Sequence, residues 1–175
     1  NRALFRERLV NAWRQSRRRV DSTLAVLFLD LDRFKLVNDS AGHEAGDALL
    51  RSAAQRLSEA VRPGDTVARL GGDEFAILLE GLFDAEGAIL IAERCRACLD
   101  EPFAVGGREV FLGASIGIAL NHDRYREPEE LLRDADTAMY RAKANGRRRC
   151  EVFEPAMRTD VVRRLGADSE LRHAV

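Results

Sequence analysis

Apolar residues recur every three or four positions along four stretches of this chain, and this spacing predicts four amphipathic helices. The stretches are residues 4–13, 49–57, 84–99 and 128–142. Asp84 is a suitable N-cap for the third helix, Pro128 favours the start of the fourth, and Asn145-Gly146 favours its end. Residues 38–42, ahead of the second helix, are polar and are predicted to form a loop.

Short apolar runs between these helices predict five strands. The runs are residues 24–29, 67–70, 75–79, 110–120 and 150–153. The first run is almost continuously apolar, as in a strand buried on both faces, and it ends in Asp30. Gly71-Gly72 joins the second and third runs as the turn of a hairpin, while Gly113 and Gly117 indicate a bulge or a close backbone approach in the fourth.

The order of the central elements predicts the fold class. Strand, helix, strand, strand, helix, strand is the split βαβ order, so we predict an α+β fold with a ferredoxin-like or palm βαββαβ core. A mainly antiparallel sheet would carry helices on one face, with extra helices at the termini. Residues 1–154 are expected to form one domain. Residues 155–175 are highly charged and are expected to form a linker helix toward a further domain.

Composition and charge limit the partners and the cellular location that we expect for this domain. The 175 residues include 28 Lys and Arg against 29 Asp and Glu, and a net charge of -1 gives no overall field for a nucleic acid polymer or an anionic membrane. No apolar run is long enough to cross a bilayer and no signal-peptide pattern opens the chain, which favours a cytoplasmic domain. Because the chain starts at Asn1, we expect a fragment of a longer protein, which can itself be membrane-anchored.

Three cysteines suit a reducing compartment, because an odd number does not pair evenly. Cys95 and Cys98 form a C-x-x-C spacing, for which a redox pair or half of a zinc site is the alternative interpretation. We favour packing of these thiols in a helix, since apolar neighbours share their spacing and no second ligand pair follows.

Two acids at predicted strand ends indicate a metal site. Asp30 ends the first strand and Asp73 lies in the hairpin turn, and neighbouring antiparallel strands can bring such positions together. Mg²⁺ takes one or two carboxylates and completes its shell with water and substrate phosphates, so two acids suffice. Either acid alone would be an ordinary strand-end or turn residue. Asp32 and Glu74 lie close to them in sequence and can also contribute.

Cations and an amide near these acids indicate a nucleotide substrate. Lys35 follows the first strand, and Lys143 and Arg147 are spaced i, i+4, where one helix face would let both reach a triphosphate. Asn38 and Asp47 offer the groups that can bind the N1–H and amino edge of guanine. The alternatives are solvated charges for the cations, a turn former for the amide and a first-turn helix acid for the carboxylate, and these residues alone leave them open.

One family combines all of these features. The run Arg69-Leu70-Gly71-Gly72-Asp73-Glu74-Phe75 is intact, and residues 30–47, 115–117 and 140–147 match further motifs of the same family. Over nearly its whole length the chain resembles the GGDEF domain of bacterial diguanylate cyclases, in particular of composite GGDEF-EAL proteins. The resemblance implies a nucleotidyltransferase that condenses two GTP molecules to cyclic di-GMP and two pyrophosphates. A different nucleotidyl cyclase on the same scaffold, using ATP, is a weaker alternative.

The resemblance also implies roles for individual residues. The implied ligands of Mg²⁺, or of Mn²⁺ in its place, are Asp30, the Leu31 carbonyl, Asp73 and Glu74. The implied catalytic residues are Asp73, which helps deprotonate the ribose 3′-hydroxyl, Lys35, which stabilises phosphate charge, and Glu74. The implied GTP-binding residues are Phe34, Asn38, His43, Asp47, Gly71, Gly72, Lys143 and Arg147. His43 is expected to start the second helix rather than to bind metal.

A second, inhibitory site is implied by Arg62-Pro63-Gly64-Asp65. This run resembles the RxxD site at which cyclic di-GMP inhibits members of the family, and Arg94 matches a helix position that supplies a second arginine in some relatives. The alternative for the same run is a plain turn, for which Pro and Gly are well suited.

The resemblance implies partners as well. One domain has residues for only one nucleotide, so two domains must meet as a transient homodimer, and the parent chain is expected to carry an N-terminal sensory domain and an EAL phosphodiesterase domain. The alternative function is a catalytically silent module that binds GTP or cyclic di-GMP and regulates the EAL domain. Two departures are notable: the family's opening motif is cut short at Asn1-Arg2, and Ala41 stands where relatives often carry a larger side chain.

Overall fold

The computed structural model of this chain describes residues 1–18 and 23–157. Within them the helices are α1 (Arg2–Ser16), α2 (Phe34–Ala41), α3 (His43–Ala60), α4 (Ala85–Asp100) and α5 (Pro128–Ala144). The strands are β1 (Thr23–Asp32), β2 (Thr66–Gly71), β3 (Glu74–Leu82), β4 (Phe103–Val105), β5 (Arg108–Val110), β6 (Gly113–Leu120) and β7 (Cys150–Val152).

A five-stranded sheet in the order β2-β3-β1-β6-β7 forms the centre of the domain. β1 pairs antiparallel with β3 on one side and with β6 on the other, and β2 pairs antiparallel with β3. β7 joins the edge parallel to β6, and β4 and β5 form a separate two-stranded hairpin. The predicted α+β class and the mainly antiparallel sheet are therefore confirmed.

Helices cover both faces of the sheet, so the expectation of a single covered face is wrong. Leu27 and Leu29 belong to a core that includes residues of α3 and α4, whereas Val26 and Phe28 belong to a second core with residues of α1 and α5. Successive residues of a strand point to opposite faces, and both sets in β1 are apolar. A strand of this kind must be buried on both sides.

The polar segment predicted as a loop, residues 38–42, is largely helical. It forms the last turn of α2, whose Phe34 and Val37 are buried. The Ser40 hydroxyl donates to the Leu36 carbonyl at 2.6 Å, which satisfies a backbone acceptor near the helix end. A helix of eight residues is too short for the apolar spacing to reveal it.

The predicted strand over residues 110–120 is divided, since β5 ends at Val110 and β6 begins at Gly113. Of the two interpretations of Gly117, the close approach is correct, because the register between β1 and β6 continues unbroken through it. A Cβ at Gly117 would lie 1.9 Å from the Ala135 carbonyl oxygen and 2.2 Å from the Met139 nitrogen. α5 therefore packs directly on the backbone of β6, which brings it close to the end of β1.

The predicted helix ends agree with the structure. The Asp84 carboxylate accepts the Gly87 N–H at 2.9 Å and caps α4, Pro128 begins α5, and Asn145 caps its end. Cys95 is buried on α4, as its spacing predicts, and burial raises the pKa of its thiol to about 12. A neutral thiol packed in the core is the result.

The helices of the described residues, 1–18 and 23–157, are all too short or too polar to cross a bilayer. Most of the predicted linker helix, residues 155–175, lies outside the described part of the chain, which ends at Met157.

Candidate active site

Two acids and one carbonyl meet where β1 ends beside the β2–β3 hairpin. Asp30 lies directly opposite Glu74 in the register of β1 and β3, and the Leu31 N–H donates to the Asp73 carbonyl at 3.2 Å. The N–H and C=O of one extended residue point to the same side, so the Leu31 carbonyl also faces the turn. Residues directly opposite each other project to one face, which places Glu74 beside Asp30.

The Gly71-Gly72 turn leaves open the corner between the end of β1 and the β2–β3 hairpin. Gly72 has a φ of 52°, a left-handed conformation that glycine adopts without a steric penalty. A Cβ on either glycine would meet nothing within 4 Å, so the space above the turn is free for a ligand. The Arg69 guanidinium donates to the Gly72 carbonyl at 2.8 Å and helps to hold the turn.

Asp30 is the most buried of the predicted metal ligands that carry a carboxylate, with 8% of its surface exposed. Burial raises its pKa, the Lys143 ammonium opposes this shift, and the charges of Asp73 and Asp32 add to it. The Lys143 Nζ lies 2.6 Å from Asp30 Oδ2. This carboxylate therefore already pairs with one cationic group, and Lys143 would have to turn from it to reach a phosphate.

The donor set fits a hard divalent cation. Carboxylate and carbonyl oxygens are the ligands that Mg²⁺ and Mn²⁺ take in proteins. Within the part of the chain that the structure describes, three or more Asp, Glu, His or Cys side chains do not converge on one point. An ion held by Asp30, Asp73 and the Leu31 carbonyl would thus draw its remaining ligands from water and substrate phosphates, which is the usual arrangement for Mg²⁺.

The predicted guanine-binding residues gather where α2 meets α3. Asn38 lies so close to Gly46 that a Cβ there would stand 1.8 Å from Asn38 Oδ1 and 3.2 Å from the Phe34 ring. Gly46 is therefore required for the position of the Asn38 amide. His43 is the first residue of α3, as predicted, and Asp47 follows one turn later, with both side chains exposed.

The predicted phosphate-binding cations lie on different elements of the fold. Lys35 is exposed in the first turn of α2, and Lys143 lies in the last turn of α5. Arg147 does not share a helix face with Lys143, contrary to the i, i+4 interpretation, because α5 ends at Ala144. The Arg147 N–H donates back to the Ala142 carbonyl at 3.0 Å, and the chain turns there with a φ of 62°.

Arg147 nevertheless faces a cavity beside the end of β1. The cavity has a volume of about 200 Å³. Its lining residues are Asp32, Arg33, Phe111, Leu112, Gly113, Gly146, Arg147 and Arg148. Three of these lining residues are arginines, at positions 33, 147 and 148, and their positive charge makes the cavity suited to an anion.

The three predicted inhibitory-site residues are also brought together. Arg62 Nε lies 3.2 Å from Asp65 Oδ1, and the Asp65 N–H donates to the Arg62 carbonyl at 3.0 Å. Arg94 on α4 donates to the carbonyl of Ala60 at 2.5 Å, and Ala60 is two residues before Arg62 in the chain. Arg62 and Asp65 therefore pair with each other, which accounts for the turn, and a ligand would have to separate them.

Sequence reasoning missed Asp136. This residue lies on α5 seven positions before Lys143, so two helical turns separate them on one face. Desolvation raises its pKa, Lys143 lowers it and Asp30 raises it further, although the residue keeps contact with solvent. The sequence signal for Asp136 is its spacing of seven residues from Lys143. An ordinary surface acid can have the same spacing, so this signal does not single out Asp136.

Comparison with known proteins identifies the family. The sequence model described as diguanylate cyclase, GGDEF domain, matches residues 1–149. This chain belongs to the GGDEF family. The GGDEF domain described here is 46% identical over 159 residues to the diguanylate cyclase TpbB of Pseudomonas aeruginosa, covering 89% of this chain and 36% of TpbB.

The solved structure of the TpbB GGDEF domain agrees with this fold. It superposes with a TM-score of 0.88 at 42% identity, covering 92% of this chain and 94% of the solved one. The palm-like arrangement of sheet and helices in the present GGDEF domain is thus the arrangement of its family.

Two longer relatives come from the same organism. MucR, a bifunctional diguanylate cyclase/cyclic di-GMP phosphodiesterase, is 43% identical over 175 residues, which is 100% of this chain and 25% of MucR. NbdA, a cyclic di-GMP phosphodiesterase, is 38% identical over 175 residues, which is 100% of this chain and 22% of NbdA. The GGDEF domain therefore spans about a quarter of the length of these two relatives.

Proposed function

We propose that this GGDEF domain is a diguanylate cyclase, which condenses two GTP molecules into cyclic di-GMP and two pyrophosphates. The observation that supports this most directly is the corner where Asp30, the Leu31 backbone and Asp73 meet, with the ammonium of Lys143 at the buried carboxylate. Such a corner suits a metal-bound triphosphate. The similarity of this chain to TpbB, which is named a diguanylate cyclase, supports the same activity.

In this proposal two of the carboxylates of Asp30, Asp73 and Glu74, together with the Leu31 carbonyl, would hold Mg²⁺, or Mn²⁺ in its place. The ion would neutralise charge on the phosphates and acidify a bound hydroxyl. Asp73 accepts the proton of the ribose 3′-hydroxyl, a role suited to an acid on an open, glycine-flanked turn.

The remaining residues bind and orient GTP. Lys35, Lys143 and Arg147 hold the triphosphate, and Lys35 stabilises the charge that grows on the phosphates as the bond to pyrophosphate breaks. The guanine is bound by the amide of Asn38 and the carboxylate of Asp47, with His43 and Phe34 beside it. Gly71 and Gly72 let the nucleotide approach the turn.

Turnover requires two copies of the domain. Each 3′-hydroxyl attacks the α-phosphate of the other nucleotide, and the site described above holds one nucleotide. Two domains must therefore meet face to face as a transient homodimer. We further propose that residues 1–154 form the catalytic unit, that residues 155–175 lead to an EAL domain, and that a sensory domain precedes the chain in a cytoplasmic or membrane-anchored parent.

Product inhibition is proposed at Arg62, Asp65 and Arg94. The Arg62 side chain is half-exposed, so it can leave Asp65 for a phosphate or guanine of cyclic di-GMP. The proximity of Arg94 to the turn through Ala60 supports a shared site.

Replacement of Asp73 by Asn tests the activity. We expect cyclic di-GMP formation from GTP and Mg²⁺ to fall by more than about 100-fold, since even outer-shell residues of metal sites contribute 10–100-fold. Asp123→Asn, which changes an exposed acid in the connection between β6 and α5, should keep the parental rate. Circular dichroism should show that both variants fold. Turnover by Asp73→Asn at the parental rate would place the metal elsewhere.

A second candidate is a catalytically silent module that binds GTP or cyclic di-GMP and regulates an attached EAL domain. The observation that favours it is the similarity to NbdA, a cyclic di-GMP phosphodiesterase to which the whole of this chain aligns over 22% of NbdA. Calorimetry separates the two functions. The silent module would bind GTP stoichiometrically and leave it unconsumed for hours, whereas the cyclase would convert it.

A further inference from the structure

Asp32 resembles a third metal ligand in the sequence, yet its carboxylate is fully engaged with the protein. It lies two residues after Asp30 and so on the same face of β1. Its Oδ1 accepts the Ser115 hydroxyl at 2.8 Å, and its Oδ2 accepts the Arg148 backbone N–H at 3.0 Å. Asp32 is 5% exposed and Ser115 is fully buried. Both oxygens are thus directed at donors rather than left for an ion.

The backbone that Asp32 holds is strained. Arg147 and Arg148 have φ values of 62° and 50°, two consecutive residues with side chains in the left-handed region. Each such residue costs free energy that its surroundings must offset. Gly146 precedes them with a φ of 110°, so the whole turn after α5 departs from ordinary backbone conformations.

Two contacts of the Arg148 side chain also hold this turn. The Arg148 guanidinium donates to Asp100 Oδ1 through Nε at 3.1 Å and Nη2 at 2.9 Å, which ties the turn to the end of α4. The Arg148 side chain lies over Gly113, where a Cβ would stand 2.4 Å from Arg148 Cγ. The turn is therefore fixed from three sides, by Asp32 on β1, Gly113 on β6 and Asp100 on α4.

The residue that this turn presents is Arg147. It precedes Arg148, is exposed, and lines the cavity of about 200 Å³ together with Arg33. A peptide bond connects Arg147 to the N–H that Asp32 binds, so the direction of the Arg147 side chain depends on that hydrogen bond.

We propose that Asp32 is a positioning residue that holds the Arg147–Arg148 turn and thereby aims the Arg147 guanidinium at the triphosphate. This inference rests on the proposed nucleotide site, and it assigns Asp32 to substrate positioning rather than to the metal. Loss of the Asp32 carboxylate should therefore affect binding of the triphosphate through Arg147.

A double-mutant cycle on nucleotide binding tests the inference. The probe is the α,β-methylene analogue of GTP, which cannot release pyrophosphate, titrated calorimetrically with Mg²⁺ into the parent, Asp32→Asn, Arg147→Ala and the double variant. Asn keeps the size of Asp32 but turns an N–H₂ group toward one of the two donors. We expect about a 10-fold weaker Kd for Asp32→Asn, the lower end of the range for outer-shell residues. The double variant should bind no more weakly than Arg147→Ala alone.

Multiplying effects of Asp32→Asn and Arg147→Ala would overturn the inference, because they would show that Asp32 acts independently of Arg147. Parental affinity of Asp32→Asn would overturn it too, and so would a parent that does not bind the analogue. A shift in the Mg²⁺ concentration needed for half-maximal binding in Asp32→Asn, absent from Arg147→Ala, would instead make Asp32 a metal ligand.

Two variants guard against simple unfolding. Ser115→Ala keeps the Asp32 carboxylate and removes its other hydrogen bond, so it should weaken the Kd in the same direction but less. Asp123→Asn, the exposed acid used above, should bind as the parent does. Turnover of GTP is measured separately: a parent that binds the analogue yet forms no cyclic di-GMP would refute the cyclase proposal and leave the role of Asp32 standing.

Discussion

At the scale of single residues, the Asp30 carboxylate is the group with the clearest conflict between function and stability. Burial raises its pKa more than the Lys143 ammonium lowers it. A carboxyl group with a raised pKa in the folded state costs stability above that pKa, and the cost disappears as the pH falls below the pKa of the unfolded chain. An acid kept ionised at such a cost suits a site that gains a cation when it works.

Replacement of Asp30 by Asn should therefore abolish activity without lowering the stability of the metal-free domain. At neutral pH we expect a Tm equal to or above that of the parent, because Asn removes the cost of the buried charge. The difference should shrink as the pH falls below about 4, where the parental acid is protonated in both states. Thermal unfolding in the presence of a chelator measures this. A Tm several degrees below the parental value at neutral pH would show that the pair with Lys143 outweighs the burial cost.

Arg62 offers a second test at this scale. Arg62→Ala should relieve inhibition by added cyclic di-GMP at least about 10-fold, because one charge-assisted contact to a phosphate contributes roughly 1.5–3 kcal/mol. Initial rates should stay near parental ones, since Pro63 and Gly64 remain to form the turn. Arg108→Ala, an exposed arginine on β5, is the matched control. Dose–response curves that coincide for parent and Arg62→Ala would leave Arg62–Asp65 as a turn only.

At the scale of elements, one side chain on α3 ties down the end of α4. Arg56 donates through Nη1 to the carbonyls of Cys98 and Glu101, at 3.0 and 2.7 Å, and through Nη2 to that of Pro102 at 2.6 Å. Its guanidinium carbon lies 4.0 Å from the centre of the Phe103 ring. The last carbonyls of a helix have no intrahelical partners, so Arg56 satisfies the Cys98 carbonyl of the last turn and also binds the two residues that follow the helix.

Arg56→Ala should destabilise the domain by about 1–3 kcal/mol, the range for lost hydrogen bonds to a charged group. Urea unfolding at equilibrium measures this, and Arg56→Lys should recover only part of the loss, because a lysine cannot present a planar fork to several carbonyls. The control is Arg51→Ala, an exposed arginine on the same helix, which should change the free energy of unfolding little. Equal stability of the two alanine variants would contradict a structural role for Arg56.

Local patterns predicted most elements and the acids at their ends, whereas features set by distant contacts were not predictable. The continuous apolar run before Asp30 and the glycines before Asp73 predicted one acid near the end of a strand and the other in the hairpin turn, although β1 continues two residues beyond Asp30, to Asp32. The short helix α2 was not predicted, because only two of its residues are buried. The position of Arg147 was predicted wrongly because α5 ends three residues before it. Arg147 lies in a turn that is held by Asp32, a residue distant from it in the sequence.

At the scale of the whole molecule, the proposed function requires that two copies of this domain, each with one nucleotide, react across a shared site. The sequence of α1 lacks the repeated apolar a and d positions of a coiled coil. We therefore expect the isolated chain to be mostly monomeric and to dimerise only transiently. Neighbouring domains of a parent chain would then raise the local concentration.

The rate of cyclic di-GMP formation from GTP and Mg²⁺, measured as a function of protein concentration, shows whether two domains react together. Light scattering on the same samples reports the oligomeric state. We predict that product formed per domain rises with protein concentration, approaching a second-order dependence when the protein is dilute and monomeric. A rate per domain that stays constant from nanomolar to micromolar protein in a monomeric sample, or GTP that binds and remains unconsumed, would contradict it.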